Sequence, residues 1–253
     1  MRWHKTIMAL VVGLVSLSLG QFSHAANDQR GSELVDRVAQ LFGGKSSIAT
    51  LQMQIFAEAG QRDLTMKIWT QGDNNLVRIM SPDKDAGTCI LKIGSQVWYY
   101  LPKVKRTIKA PSSMTMTSWM GSDFTLDDLV KQSGLERDYS IANSFAGKRG
   151  EVEVYEYTLT PKPDAAVVWG KIVLQIRQAN LMPAWQGFYD EDGKLVRELT
   201  FSDYSTMGGR LIPTRLVMQS VDKPDQKTTI VYNDVKFAVP ISAETFSLPN
   251  LSR

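Results

Sequence analysis

The chain has 253 residues, 43% of them apolar, with a formal charge of +3, which is enough length and apolar content for one packed core. One cysteine excludes an internal disulfide, and a near-neutral balance offers no electrostatic case for nucleic acid. Two histidines, both near the start of the chain, leave little for histidine-based chemistry downstream.

Residues 1–5 are short and basic (Arg2, Lys5), and residues 7–19 form an uncharged apolar run. Ser23-His24-Ala25 fits the small-x-small cleavage rule. Residues 1–25 read as a secretory signal peptide cleaved after Ala25, the run being shorter than the ~20 apolar residues that span a bilayer. Residues 26–253 are expected as a single domain. Cys89 is far from the cleavage site, so the chain is not itself a lipoprotein. Cleavage removes His4 and His24, and with them Ser-His-Asp catalysis, Cys-His catalysis and histidine zinc sites. It also removes Arg2 and Lys5, lowering the charge by two.

Residues 32–42 carry Leu34, Val35, Val38, Leu41 and Phe42 at helical spacing, and Gly43-Gly44 ends the helix. From Ile48 the period falls to two. Leu51, Met53, Ile55 and Ala57 alternate with polar residues, as do Leu64, Met66 and Ile68. Residues 76–80 follow, then Cys89, Leu91 and Ile93, and Gly94-Ser95 turns the chain into residues 97–101. Hairpins in series predict an antiparallel meander with one face on a core. After residue 138 the alternation resumes to residue 237, with Asp190-Glu191-Asp192-Gly193 a strong turn. The expected fold is mainly β with a few α-helices, a strongly curved antiparallel sheet of roughly ten or eleven strands that curls into a barrel or half-barrel.

The stretch that breaks this pattern lies between. An aromatic strand (Trp98, Tyr99, Tyr100) runs into a basic turn (Lys103, Lys105, Arg106, Lys109). A loop then carries Met114, Met116, Trp119, Met120 and Phe124 with no strand or helix period. Surface loops are normally polar, and methionine suits surfaces that accept variable apolar shapes. These five residues form a candidate lid over an apolar cavity, against an ordinary lid packed on the core. Residues 125–133 read as a short helix with Thr125 as N-cap and Asp127 and Asp128 at its positive end. Trp98 and Tyr100 are candidate walls of the same opening, with Met66, Ile68, Cys89 and Leu91 from the apolar strand positions. The basic turn is a solvated edge or a contact for anionic head groups or an acidic partner.

Arg197 falls in register with Leu195, Leu199 and Phe201. A buried unpaired guanidinium is costly, so Arg197 is paired or lies at a rim. Three readings stand: an anchor for an anionic head group, a latch to the lid, or an outer-face charge. The acids cluster in turns and at helix starts, where local reasons explain them. No phosphate loop and no metal or cofactor motif is present, and no enzyme is expected. A Ser–Lys hydrolase in a polar cleft stays open as a minor reading.

One block resembles a known family. Asp85-Ala86-Gly87-Thr88 with Lys92-Ile93-Gly94, Val97-Trp98-Tyr99-Tyr100-Leu101-Pro102, Arg106-Thr107-Ile108-Lys109, and Ser118-Trp119-Met120-Gly121-Ser122-Asp123-Phe124 leading to Asp127-Asp128-Leu129 carry the likeness. It is similar to the LolA-like periplasmic lipoprotein carrier superfamily, and more closely to the outer membrane lipoprotein-sorting proteins. The resemblance implies a half-barrel of about eleven strands closed by helices. It implies a periplasmic, monomeric carrier of lipid or lipoprotein acyl chains, served by an inner-membrane transporter of ABC or RND type and making transient membrane contact. Residues 77–83 depart from the arginine–proline pattern of the lipoprotein carrier proper, so Arg78 is not equated with that carrier's latch arginine. The alternative is a periplasmic sensor or adaptor domain of the same fold that binds a transporter or signalling protein without lipid transfer.

Overall fold

The computed structural model describes residues 28–111, 117–130, 135–165 and 167–252. Met114 and Met116, and the leader read in residues 1–25, lie outside the described residues. The helices are α1 (Gln29–Ala39), α2 (Leu126–Val130) and α3 (Leu135–Asp138). Among the described residues thirteen strands form one antiparallel sheet. They are β1 (Ser46–Ala57), β2 (Gly60–Gln71), β3 (Asn74–Ser81), β4 (Cys89–Ile93), β5 (Gln96–Leu101), β6 (Arg106–Lys109), β7 (Tyr139–Arg149), β8 (Val152–Pro161), β9 (Lys171–Arg177), β10 (Pro183–Tyr189), β11 (Leu195–Met207), β12 (Arg210–Ser220) and β13 (Lys227–Phe237).

The strand order is β6-β5-β4-β3-β2-β1-β13-β12-β11-β10-β9-β8-β7. Two meanders are therefore joined side by side through β1 and β13, and the sheet is unclosed, with β6 and β7 as its edges. The expected count of ten or eleven strands is therefore too low, and alternation misses β6 because all four of its residues are exposed.

α1 starts before its apolar stripe because Asp28 caps it: the Asp28 carboxylate accepts from the Gly31 amide at 3.1 Å. Gly31 is needed for close approach, since a Cβ there would lie 2.7 Å from the Tyr157 ring on β8. At the other end Phe42 stacks on Tyr232 of β13, ring centroids 4.4 Å apart. The helix thus lies across the C-terminal meander, burying Leu34 and Val35. α2 packs instead on β3 and β4 of the N-terminal meander.

The register assigns each strand residue to a face. Ile68, Val77, Ile90, Tyr99 and Ile108 stand opposite one another in a row across β2 to β6. The first three are buried in the main core with Met66, α1 and α2. The adjacent row is Trp69, Leu76, Leu91, Trp98 and Lys109. That row points to the other side, where Leu76, Cys89, Leu91 and Tyr100 form a second cluster. It is covered by the 3-10 turns Ala243–Phe246 and Leu248–Ser252, through Phe246 and Leu251. Arg78 donates to the Asn250 carbonyl at 2.7 Å and fastens this end.

Candidate functional site

The chain leaves one sheet edge at Lys109 and enters the other at Tyr139. The connection between β6 and β7 therefore bridges the two edges, and its described residues 117–130 lie on the inner face. Trp119, Phe124, Leu126, Leu129 and Val130 are all buried in the main core, with Met120 packed against it. The segment folds on itself through a hairpin-like bridge between Ser118 and Thr125, with Trp119 N–H donating to the Phe124 carbonyl at 2.8 Å. Met120 and Gly121 are both left-handed at its tip (φ 54° and 76°), a conformation a bulky side chain such as Met120 rarely holds.

Polar contacts tie this segment to four strands. Arg62 of β2 donates to the Met120 carbonyl at 3.0 Å and pairs with Asp85 at 3.3 Å. The Asp123 carboxylate accepts from Ser220 at 3.2 Å and from Thr228 at 2.8 Å. Arg197 of β11 makes a two-point pair with Asp128, at 2.7 and 2.8 Å, and donates to the Asp123 carbonyl at 3.2 Å. Asp128 also closes the α2 cap, accepting from Thr125 N–H at 2.7 Å, while Thr125 Oγ1 accepts from Asp128 N–H at 3.2 Å.

Arg197 is 4% exposed. Its guanidinium lies over the adjoining Trp169 and Phe188 rings, 4.7 and 4.5 Å from their centroids. Of the three readings of Arg197, the outer-face charge is the one this geometry replaces: the side chain faces inward and is paired to the crossing segment. Its Nε has no hydrogen-bond partner. Tyr139 donates to the Trp169 carbonyl at 3.3 Å. Burial, and then the neighbouring Asp138, pushes its phenol up to about 12.

Beside Arg197 a cleft of about 250 Å³ opens between the crossing segment, Val168-Trp169 and the turn after β12, with Lys223 and Gln226 at that turn. Its serine hydroxyls are committed. Ser118 donates to the Ser122 carbonyl at 2.6 Å and Ser122 to the Trp119 carbonyl at 2.7 Å, while Ser220 binds Asp123. Among the described residues no group of three His, Cys, Asp or Glu could hold a metal ion.

The structure brings Met66, Ile68, Trp119, Met120, Phe124 and Arg197 together on the inner face. It does not bring Cys89, Leu91, Trp98 and Tyr100 to them. Those four belong to the cluster under the C-terminal turns, and Val97 and Tyr99 take the inner positions of β5. Tyr99 lies beside Trp119. Burial pushes its phenol above the ordinary value, with the indole acting in the opposite direction. The shared opening expected of Trp98, Tyr100 and Trp119 is thus corrected by one position of register. β4 is apolar on both faces (Cys89, Ile90, Leu91), so alternation alone did not identify the inner one. Asp128, Asp123 and Trp169 were missed as partners of Arg197. The burial of Arg197 called for an acid, but nothing local selects one 69 positions away.

Solved structures share this fold. A domain described as an outer membrane lipoprotein-sorting protein domain, from Vibrio parahaemolyticus, matches with a TM-score of 0.76 at 22% identity, over 88% of this chain and 99% of its own. A DUF1329 family protein from Desulfovibrio piger matches with a TM-score of 0.76 at 19% identity, over 89% and 99%. A LolA superfamily protein from Nitrosomonas europaea matches with a TM-score of 0.73 at 18% identity, over 87% and 98%. No curated protein matches the chain. One family model, described as "Uncharacterized protein", matches residues 71–253. The chain belongs to that family, and its fold is the LolA-like fold of the lipoprotein-sorting domains.

Proposed function

We propose that the protein is a periplasmic carrier that holds acyl chains of a lipid or lipoprotein against the inner face of its sheet. It would receive them from an inner-membrane transporter and surrender them at the outer membrane. The observation that carries this reading is the occupancy of the inner face by a segment that belongs to no strand of the sheet. Residues 117–130 bury five large apolar side chains there, yet ion pairs and side-chain hydrogen bonds at a few named points hold the piece to the strands.

The exchange is close to neutral. Exposing those five side chains costs about 10 kcal/mol, and burying roughly fifteen methylenes contributes about 12 kcal/mol. An acyl guest can therefore replace the segment without covalent chemistry, and the balance between closed and loaded states is a population shift set by the guest. Release then needs an acceptor that offers the chain a better apolar site.

The test is mass spectrometry of lipid extracted from protein purified from its native compartment. Co-purifying acyl lipid, reduced by Trp119→Asp, is the expected result. Protein that carries none, and that transfers none from donor to acceptor liposomes, would return the fold to a sensor or adaptor role.

A further inference from the structure

The sheet edge at β6 carries a charge that acyl binding does not use. From residue 86 to residue 122 the chain has Lys92, Lys103, Lys105, Arg106 and Lys109 and not one Asp or Glu. All but Lys92 fall in residues 102–109. There a 3-10 turn, Pro102–Val104, leads out of β5, and Lys105, left-handed (φ 49°), closes it with its N–H donating to the Pro102 carbonyl at 3.1 Å. Among the described residues no acid pairs with Lys103, Lys105 or Arg106. Val104 stands among these cations, 58% exposed, and Ile108 follows at 41%. The nearby acids are engaged elsewhere. Asp85 pairs with Arg62, and Asp83 adjoins Lys84 in the turn between β3 and β4. Asp128 pairs with Arg197, and Asp127 lies toward Tyr139 at the opposite edge of the sheet. Glu58 and Asp63 belong to the β1–β2 hairpin, four strands away. That is about 19 Å along the sheet, more than two Debye lengths at physiological salt.

The basic turn shares its end of the sheet with the tip of the crossing segment. Arg62 links Asp85 to the Met120 carbonyl. Gly87, in the same turn as Asp85, sits against the basic turn, where a Cβ on it would lie 3.6 Å from Pro102 Cβ. Tyr99 of β5 lies beside Trp119. We propose that residues 102–109 dock on the anionic head groups of a bilayer. Head-group oxygens accept from Lys103, Lys105 and Arg106, and Val104 enters the interface. Docking there turns the Met120-Gly121 tip toward lipid, at the place where the segment has to lift for a guest to enter or leave. An extended acidic peptide is a poorer occupant, because β6 is only four residues long and lysines at a sheet edge discourage strand addition. A bilayer needs neither a groove nor a strand register, and it accepts cations and an apolar tip together. The attraction is a sum of weak terms that salt screens, so it is reversible, as a shuttle requires.

Docking stands on charge and exposure, whereas its use in handing over a guest rests on the acyl-carrier reading, and the experiment separates the two. Purified protein is sedimented with vesicles of phosphatidylcholine, alone or mixed equally with phosphatidylglycerol, at low and high salt. Acyl transfer between liposomes is assayed in parallel. Binding to the anionic vesicles only, lost at high salt, is expected. Lys103→Ala with Lys105→Ala should weaken it about thirtyfold, and Val104→Ser about threefold. All three positions are exposed, and circular dichroism confirms that the variants fold. No binding to either vesicle, or equal binding to both that ignores the lysines, overturns the docking surface, while acyl transfer that persists leaves the carrier reading standing. Salt-sensitive binding of polyglutamate without binding to vesicles would give the turn to an acidic protein and overturn the lipid form. Anionic-vesicle binding by protein that transfers no acyl lipid keeps the docking surface and overturns its use in handover.

Discussion

Arg197 and Asp128 form a two-point ion pair that joins the start of β11 to the first turn of α2. Asp128 also caps the helix it begins. One carboxylate thus sets both the local start of α2 and its position on the sheet.

Removing one member of this pair leaves a charge without compensation in a place water reaches poorly. Asp128→Ala should lower stability by about 3 kcal/mol, at the low end for a buried pair because Asp128 is partly exposed. Urea unfolding checks this. The double variant Arg197→Met with Asp128→Leu should recover most of the loss, since no stranded charge remains. A loss within 0.5 kcal/mol for Asp128→Ala would mean that the guanidinium is solvated and the segment is not fastened there.

The two faces of β5 and its neighbours make opposite demands. Trp119→Asp places a charge in the main core and should reduce bound lipid. Trp98→Asp alters the other face, beside Lys109 (5.8 Å from the ring centroid), and should leave lipid content unchanged. Lipid content by mass spectrometry, normalised to folded protein, distinguishes them. Equal losses from both would refute the register argument.

Cys89 reports on the C-terminal turns. It is fully buried, its Sγ lies 3.8 Å from the Leu251 carbonyl, and burial raises its thiol pKa, with Arg78 partly opposing. The intact chain should react slowly with a thiol reagent such as DTNB. Leu251→Asp should detach the turn and speed the reaction on the order of tenfold. An unchanged rate would show that the turns do not shield β4.

Glu156 sets one part of the acid response. Hydrogen bonds from Arg149, at 3.0 Å, and from Gln175, at 2.9 Å, lower its pKa, Arg149 contributing most. A depressed carboxylate contributes stability above its unfolded pKa of about 4.3, which is lost as pH falls through the folded value. Glu156→Gln should therefore lower the melting temperature at pH 7, and the two proteins should converge toward pH 3. A gap that persists at pH 3 would point to packing, not ionisation.

Much of this architecture is legible along the chain, for reasons that differ between elements. β1 and β2 are readable because Leu51, Met53, Leu64 and Met66 are buried at every second position while their neighbours are not. Thr125 is readable as a cap because its partner is three residues away. The register of Arg197 with Leu199 and Phe201 is readable too, but it left the inward and outer faces both open until the burial of all three decided between them. The outer cluster is not readable in this way. Cys89 and Leu91 are apolar for the sake of Phe246 and Leu251, which sit far along the chain in turns without any period. Nor is β6, whose four exposed residues form a strand only because β5 supplies hydrogen-bond partners.

The seam between β1 and β13 has a kinetic meaning. Every other strand pairs with a neighbour in the chain, but Ser47 meets Phe237 and Phe56 meets Lys227. Each meander can assemble from local hairpins as its own residues become available. Their union must wait for almost the whole polypeptide, and closing so long a loop slows folding. Until then β1 has a bare edge beside Met53 and Ile55, so the half-finished molecule is the form most exposed to aggregation. Substitutions at the seam, such as Thr229 or Ile230, should therefore reduce the yield of folded protein more than their effect on final stability accounts for.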